Sequence, residues 1–530
     1  MTIRSFVLGA ALTAAMTGLA APAAFAQSDS GSAVVTLKSF DGFTQLRGKL
    51  LEFNGKTFRI ETALGVMEID ALQVQCDGEA CPQNLLFGAK FGIHGSNTIG
   101  AELMPALIEG YADSLDAELV TEVGGAAFER TLRIIHSNGE EMAAIDLQTK
   151  GSASSFRALA GGVADIGMSS RRARDRDMPA MFNAGLTDPR DTETETIIGL
   201  DGLLVVTHRS NPVQSISLEE LALIYSGAMT NWSQMGGPDQ PINIYAGADE
   251  TGTFQTLASL VLAPYGVQMT PSATRFTSNV ALSDAVAGDP WGIGVTAAAY
   301  ERAAKALPIR QECGILSFPT TFAMKTGEYP LSRRLYLYSP REDMTAHARN
   351  LVEFAKSPAA QALIVEAGFV SLEVETALIN NQGARIVHAM TGEEEVSLAG
   401  LRDFVVDVKS AVRLSTTFRF TPGESRLDPV SQAAAEQFAR DIADGVYEGK
   451  EVMLIGFTDS VGQFDLNRGL SARRAQVVAD VLAQSVPAGA LNRSVLTVKG
   501  YGELAPVGCN TSPTGRSANR RVEVWVRDPL

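Results

Sequence analysis

Asp459, Arg474 and Arg520 are charged residues that the periodicities of the chain aim at apolar surroundings. The run Val452-Met453-Leu454-Ile455 has the length and branching of a strand, and Asp459 sits in the turn that leaves it, Gly456-Phe457-Thr458-Asp459-Ser460-Val461-Gly462. A helix follows from Asn467. At 3.6 residues per turn its apolar stripe is Leu470, Val477, Val478, Val481 and Leu482, with Arg474 in the middle and Arg473 at the edge. Near the C-terminus, the two-residue period of Asn519-Arg520-Arg521-Val522-Glu523-Val524-Trp525-Val526 puts Arg520 on the face of the valines, with Arg521 and Glu523 opposite. A guanidinium turned toward a core is costly unless it meets an anion. One outcome is an internal salt-bridge network. The other is a cradle for a zwitterion, in which Asp459 holds an ammonium while Arg474 and Arg520 grip a carboxylate with their planar forks.

A second chemistry is spread over three turns. Ile93-His94-Gly95-Ser96-Asn97-Thr98-Ile99-Gly100 precedes a helix around 101–111, Gly151-Ser152-Ala153-Ser154-Ser155 one that starts near Phe156, and Asp249-Glu250-Thr251-Gly252-Thr253 one from Phe254 to Leu262. Each turn is small, hydroxyl-rich and glycine-containing, and lies where unpaired N–H groups and the positive end of the helix dipole face outward. Such an end is a ready anion site. Any one of them is more often an ordinary N-cap. Three together point to an anion, as does the run Ala164-Asp165-Ile166-Gly167-Met168-Ser169-Ser170-Arg171, a buried strand that ends in hydroxyls. Open α/β sheets bind ligands at the carboxyl ends of their strands.

The elements that must position these groups divide the chain. Met1 to Ala26, with Arg4, an apolar run from Phe6 to Leu19 and Ala24-Phe25-Ala26, reads as a cleavable secretory signal, and no Cys precedes Cys76 to suggest a lipid anchor. Residues 27–86 are expected to form a small all-β module, with Asn54-Gly55 as a hairpin turn between Leu50-Leu51-Glu52-Phe53 and Thr57-Phe58-Arg59-Ile60. From residue 87 to 383 strands alternate with helices, the pattern of an α/β domain with parallel sheets. Residues 384–412 read as a linker, with a short helix over Leu401 to Val412, and 413–530 as a second α/β unit. The net charge of −16 argues against nucleic acid as a partner. In an exported chain the cysteines are open to oxidation, and Cys76 and Cys81 are expected to close a small loop, while the pairing of Cys313 and Cys509 is left open. The five histidines have no metal-ligand spacing, and there is neither a GxSxG elbow nor a P-loop. No catalytic residue, metal or cofactor is therefore expected.

Two resemblances follow from these motifs. The order TD-x-x-G, N-x-x-LS-x-RRA, G-x-GE-x-xP and N-x-x-x-x-GR-x-x-NRRVEV, from Thr458 to Val524, resembles the OmpA C-terminal-like peptidoglycan-binding domain. The resemblance implies that Asp459 and Arg474 grip the ammonium and carboxylate of the diaminopimelate residue in a stem peptide, with Asn467 and Arg520 in support. Phe457 departs from the His that many members carry. From Phe91 to Val370 the chain resembles the phosphate-binding proteins of ABC transporters, with a two-lobed type II periplasmic-binding fold. Ser217-Leu218-Glu219-Glu220-Leu221, Ile224-Tyr225-Ser226-Gly227, Thr230-Asn231-Trp232 and Tyr329-Pro330-Leu331-Ser332-Arg333-Arg334-Leu335-Tyr336 carry the likeness beside the three turns. It implies phosphate or a similar oxyanion held by Ser96, Asn97, Thr98, Ser152, Ser170, Thr251, Gly252 and Thr253, and an ABC permease or another envelope protein as partner. Two departures stand out: Ser170 occupies the place of an Asp, and Gly247 that of an Arg, for which Arg171 or Arg172 could substitute.

Together these readings predict a periplasmic, non-enzymatic oxyanion receptor, anchored non-covalently to peptidoglycan and associated with the outer membrane. The competing expectation, favoured by Gly247, is a wall-attachment protein whose receptor-like domain is a docking scaffold without a small ligand.

Overall fold

The computed structural model describes residues 34–529 except 40–43, 54–56, 71–73, 79, 83–87, 126–127, 192, 250, 341–343, 392–396, 421–425, 487–488, 490 and 492–493. The expected signal segment, the Asn54-Gly55 turn and Glu250 lie outside the described residues. No helix among the described residues is long and apolar enough to cross a membrane.

Alternation in the first strands produces an antiparallel five-stranded sheet, in the order Gly65–Asp70, Thr57–Thr62, Gln45–Phe53, Val34–Ser39, Val74–Asp77. Val35, Leu37, Phe58 and Ile60 point to one face and make its core. Gln45–Phe53 and Thr57–Thr62 pair antiparallel, with Phe53 opposite Phe58. Cys76 and Cys81 are disulfide-bonded, around Gly78 at φ +132°.

The central domain has two lobes with separate cores. Strands Ala89–Gly95, Glu141–Gln148 and Ile166–Ser169 pair in parallel in one lobe, and Asn243–Gly247, Thr274–Phe276 and Gly292–Ala297 in the other. The expectation of parallel sheets holds for these sets only. Between them Glu195–Thr207 runs antiparallel both to Ser332–Tyr338, through residues 195–202, and to Gly292–Ala297, through residues 203–207. These two long strands thread both lobes and are the covalent connection about which the lobes can hinge. Their interiors are near-continuous runs of branched and aromatic residues because both faces are covered. At Ser217-Leu218-Glu219-Glu220 the Ser217 hydroxyl accepts from the Glu220 N–H at 3.0 Å and the Glu220 carboxylate from the Ser217 N–H at 2.7 Å. Gly227, at φ +80°, closes the same helix.

The C-terminal sheet has the order Thr376–Leu378, Val412–Arg419, Arg521–Arg527, Glu451–Gly456, Val495–Gly500. Val452, Leu454, Val522, Val524 and Val526 face helices Pro429–Ala443 and Phe464–Gln484. The opposite face, Met453, Ile455, Phe457 and Trp525, is covered by Leu401, Phe404 and Val408 of the helix Leu398–Val408. This helix, inside the segment expected as a linker, thus supplies one layer of this core. Phe404 is fully buried and meets Phe457, Tyr501 and Trp525 edge to face. The sheet also recruits Thr376–Leu378 from upstream of that segment.

Side-chain contacts and a disulfide join this domain to the central one. Cys313 and Cys509 are disulfide-bonded, answering the pairing that sequence left open. Gln311 accepts from the Cys509 N–H and donates to the Val507 carbonyl. Arg413, fully buried, pairs with Glu328 of the central domain and lies 3.3 Å from Glu523 of the C-terminal sheet. Glu523 is also held by Arg385 and Arg521 and accepts from the Trp525 indole at 2.9 Å. Arg521 and Glu523, which the sequence places opposite the valines and gives no role, thus sit in an internal salt-bridge network with Arg385 and Arg413.

Candidate functional site

In the C-terminal domain, strands Glu451–Gly456 and Val495–Gly500 end side by side where Arg521–Arg527 begins, with Gly456 opposite both Gly500 and Val522. The helix Phe464–Gln484 crosses directly over these ends. A Cβ on Gly456 would stand 2.0 Å from the Ser471 carbonyl oxygen, and one on Gly500 2.3 Å from the Ala472 nitrogen. The two glycines let the helix down onto the sheet, and the Ser471 hydroxyl accepts from the Gly502 N–H at 2.9 Å. Asn467, Ser471 and Arg474, on one helix face, are thereby carried over the turn that holds Asp459.

Asp459, Asn467 and Arg474 are 9%, 5% and 8% exposed. Asp459 accepts from the Val461 N–H at 3.2 Å and from Arg520 Nη1 at 2.6 Å. Asn467 Nδ2 donates to the Asp459 carbonyl oxygen and to Glu503. Asn519, to which the sequence reading gave no role, braces the neighbouring loop by accepting from the N–H groups of Val507 and Gly508. Arg474 differs from its neighbours: its Nε and Nη1 are buried with no hydrogen-bond partner, and its guanidinium lies 5.4 Å from the Phe420 ring centre. Burial pushes its pKa down, as does Arg520, and Asp459 opposes them. The geometry departs from the expected grouping, since Arg520 pairs with Asp459 instead of standing beside Arg474 as a second carboxylate fork. Phe457, in place of a His, is a core residue beneath the site, with the Arg521 guanidinium 4.4 Å from its ring centre.

In the central domain, Gly95 (φ +144°) turns the chain tightly against strand Ile166–Ser169, where a Cβ would come within 2.0 Å of the Met168 carbonyl oxygen. Ser96, Asn97 and Thr98 follow. Ser96 N–H donates to Met168 O at 2.9 Å, and Asn97 Oδ1 is buried without a partner. Ser152 opens the helix Ser152–Ala160, and its hydroxyl accepts from the Ser170 N–H at 3.0 Å and bonds the Ser170 hydroxyl at 3.1 Å. From the other lobe, Gly252 meets Thr98 so closely that a Cβ would stand 3.1 Å from the Thr98 Cα. Thr251 caps its helix by accepting from the Phe254 N–H, and Thr253 donates to Asn279. Both hydroxyls are thus engaged within the protein.

Six of the eight predicted residues line two cavities, and Ser96 and Asn97 line neither of them. Ser152 and Ser170 line one of about 590 Å³, and Thr98, Thr251, Gly252 and Thr253 one of about 330 Å³. Arg333, which the sequence reading quoted but gave no role, connects them. It lines the larger cavity, donates to Thr98 Oγ1 at 2.8 Å, to Asp201 at 3.2 Å and to Thr256, and so ties the two lobes together. Burial pushes its pKa down against the opposing pull of Asp201. Its signal was available: Arg333 shares a strand face with Leu335 and Leu337, the same anomaly that exposes Arg520. Gly247 is closed in by its own turn, where a Cβ would stand 2.5 Å from Thr251 Oγ1. Arg171 and Arg172, considered as substitutes for the Arg expected at Gly247, are committed to Asp177 and Glu195, although both line the larger cavity. Among the described residues no group of three or more His, Cys, Asp or Glu is placed to hold a metal ion.

Comparison with known proteins matches residues 419–520 to the OmpA family and residues 137–364 to the PBP superfamily domain. The YfiB lipoprotein of Escherichia coli is 36% identical over 117 residues, 22% of this chain and 69% of that protein. The chain belongs to the OmpA family. Ahead of its OmpA domain stands the PBP domain. There the chain is 28% identical to protein SphX of Synechococcus elongatus over 240 residues, 43% of this chain and 69% of that protein. It is 24% identical to the phosphate-binding protein PstS of Borreliella burgdorferi over 188 residues, 34% of this chain and 66% of that protein. The OmpA match stops short of Leu398–Val408 and Arg521–Arg527, which pack in the same core. The PBP match likewise begins after Ala89–Gly95, the strand that carries the first turn into the site. Both families place the chain in the cell envelope.

Proposed function

We propose that the protein is a periplasmic receptor for phosphate or a similar oxyanion, tethered to peptidoglycan through its OmpA domain. One observation carries the reading: a single chain, joined across its two domains by a disulfide, pairs an arginine- and serine-lined cleft with a buried Arg474 whose Nε and Nη1 have no hydrogen-bond partner. In the cleft, Ser152, Ser170 and the loop from Ser96 to Thr98 supply hydroxyl and backbone donors, and Arg333 supplies a guanidinium in place of the one missing at Gly247. The lobes close by flexing the two strands that cross between them. In the OmpA domain the carboxylate of a diaminopimelate residue satisfies Arg474, while its ammonium takes Asp459 from Arg520. Tethering confines the receptor near the wall and raises its local concentration there. The relative PstS is named as a binding protein, and we assign this chain no catalysis.

Calorimetric titration of the intact chain, first unfolded and refolded to strip bound ligand, tests the receptor half, with sulfate and molybdate as controls. The expected result is a saturable phosphate isotherm that Arg333→Met weakens about ten-fold or more, the loss of a charge-assisted contact. No heat with any oxyanion would leave the cleft as a docking scaffold.

A further inference from the structure

The larger cavity exceeds the needs of orthophosphate. Its volume of about 590 Å³ falls within the range of about 300–1,000 Å³ that accommodates whole organic ligands. It is lined by six arginines: Arg171, Arg172, Arg174, Arg333, Arg334 and Arg419. Arg171, Arg172 and Arg333 are neutralised by Asp177, Glu195 and Asp201. Among the described residues Arg174, Arg334 and Arg419 have no carboxylate in ion-pair contact. Arg419 comes from the OmpA domain, where its Nη2 donates to the Thr326 carbonyl at 2.7 Å and brings the guanidinium to the mouth of the PBP cleft. Burial pushes its pKa down to about 10, and Arg334 adds to the shift. Glu328 and Asp428 pull the Arg419 pKa the other way, but neither carboxylate is in ion-pair contact with its guanidinium, so Arg334 and Arg419 face the cavity free to pair with an anion that enters it. Leu200, Leu260 and Met324 line the same cavity and offer an apolar surface beside the guanidiniums.

From this arrangement we infer that the ligand is a phosphorylated compound with a second anionic group, a diphosphate or a phosphorylated organic acid. Its phosphoryl group sits at Ser152 and Ser170, and its second anion meets Arg334 and Arg419. The inference rests on the phosphate reading above and names the ligand class of that same cleft. It also makes the OmpA domain part of the binding site, because Arg419 closes the cavity from outside the PBP domain.

The test is parallel calorimetry of the intact chain with orthophosphate, pyrophosphate and 3-phosphoglycerate, repeated on Arg334→Met and Arg419→Met. The expected result is that pyrophosphate or 3-phosphoglycerate binds about ten-fold or more tightly than orthophosphate, the effect of one added charge-assisted contact. Each variant should erase that advantage while leaving the orthophosphate constant in place. Arg334→Met removes no contact between the domains, so its result stands if Arg419→Met loosens their junction. Orthophosphate binding as tightly as both larger probes, or an advantage that survives both substitutions, would overturn the inference and leave the receptor reading intact. No heat from any of the three would overturn both.

Discussion

Arg474→Met is expected to release the protein from isolated peptidoglycan without weakening its fold. The two effects separate because of what surrounds this side chain. Its Nε and Nη1 are buried and unpartnered, so the folded domain bears the desolvation of a guanidinium with no compensating bond. Methionine fills the space against Phe420 and removes that cost, and the melting temperature should stay level or rise. Binding should fall by about 2–5 kcal/mol, the usual loss when one partner of a desolvated charge pair is truncated, which in a pelleting assay reads as loss of the bound fraction. Asp459→Ala removes the other half of the clamp and should give the same pelleting result. It also frees Arg520, so its melting temperature is the less informative of the two. Full retention of both variants in the pellet would contradict the assignment.

Glu523→Gln is expected to have the largest effect on stability. Glu523 is fully buried and serves Arg385, Arg413, Arg521 and the Trp525 indole together. Neutralising it leaves three buried guanidiniums short of a counter-charge, and breaking such a network typically costs about 3–5 kcal/mol. For a domain of this size that is a fall in melting temperature of about 10 °C or more. The same carboxylate makes a pH prediction. Burial alone would raise its pKa, but the three guanidiniums overcome that and hold it well below the ordinary 4.5. A depressed pKa contributes stability above the unfolded value and loses it as pH falls toward the folded one. Acid unfolding of the wild type should therefore begin below about pH 4.5, and Glu523→Gln should lack that component. A melting curve unchanged from wild type at neutral pH would show that the network carries little stability.

Much of this architecture was written in local pattern. The burial of Arg474 follows from helical period alone, whereas Ser152 and Ser170 were set at one anion site only by the resemblance to phosphate-binding proteins, and their hydroxyls lie 3.1 Å apart. The hydroxyls of Thr251 and Thr253 carry the same composition, yet one is spent on a cap and the other on Asn279. Composition does not distinguish a hydroxyl aimed at a ligand from one aimed at its own helix. The helix Leu398–Val408 was visible as a helix, but its role as a core layer depends on Phe404 meeting Phe457 and Trp525, residues far along the chain. The same holds for Arg413, whose partners Glu328 and Glu523 come from two different domains. It holds as well for Cys313 and Cys509, with a separation of 196. Long-range pairings of this kind leave no period in the sequence, so only the folded chain reveals that the two domains are joined as one unit.

In the proposed function one chain holds an oxyanion and the cell wall at once. The most direct measurement is co-pelleting of radiolabelled phosphate with isolated peptidoglycan in the presence of the refolded protein. The account predicts that label and protein pellet together, that Arg474→Met leaves both in the supernatant, and that Arg333→Met leaves the protein in the pellet and most of the label in solution. Protein that pellets without label under conditions that saturate the wild type, or label that remains soluble while bound to protein, would contradict it.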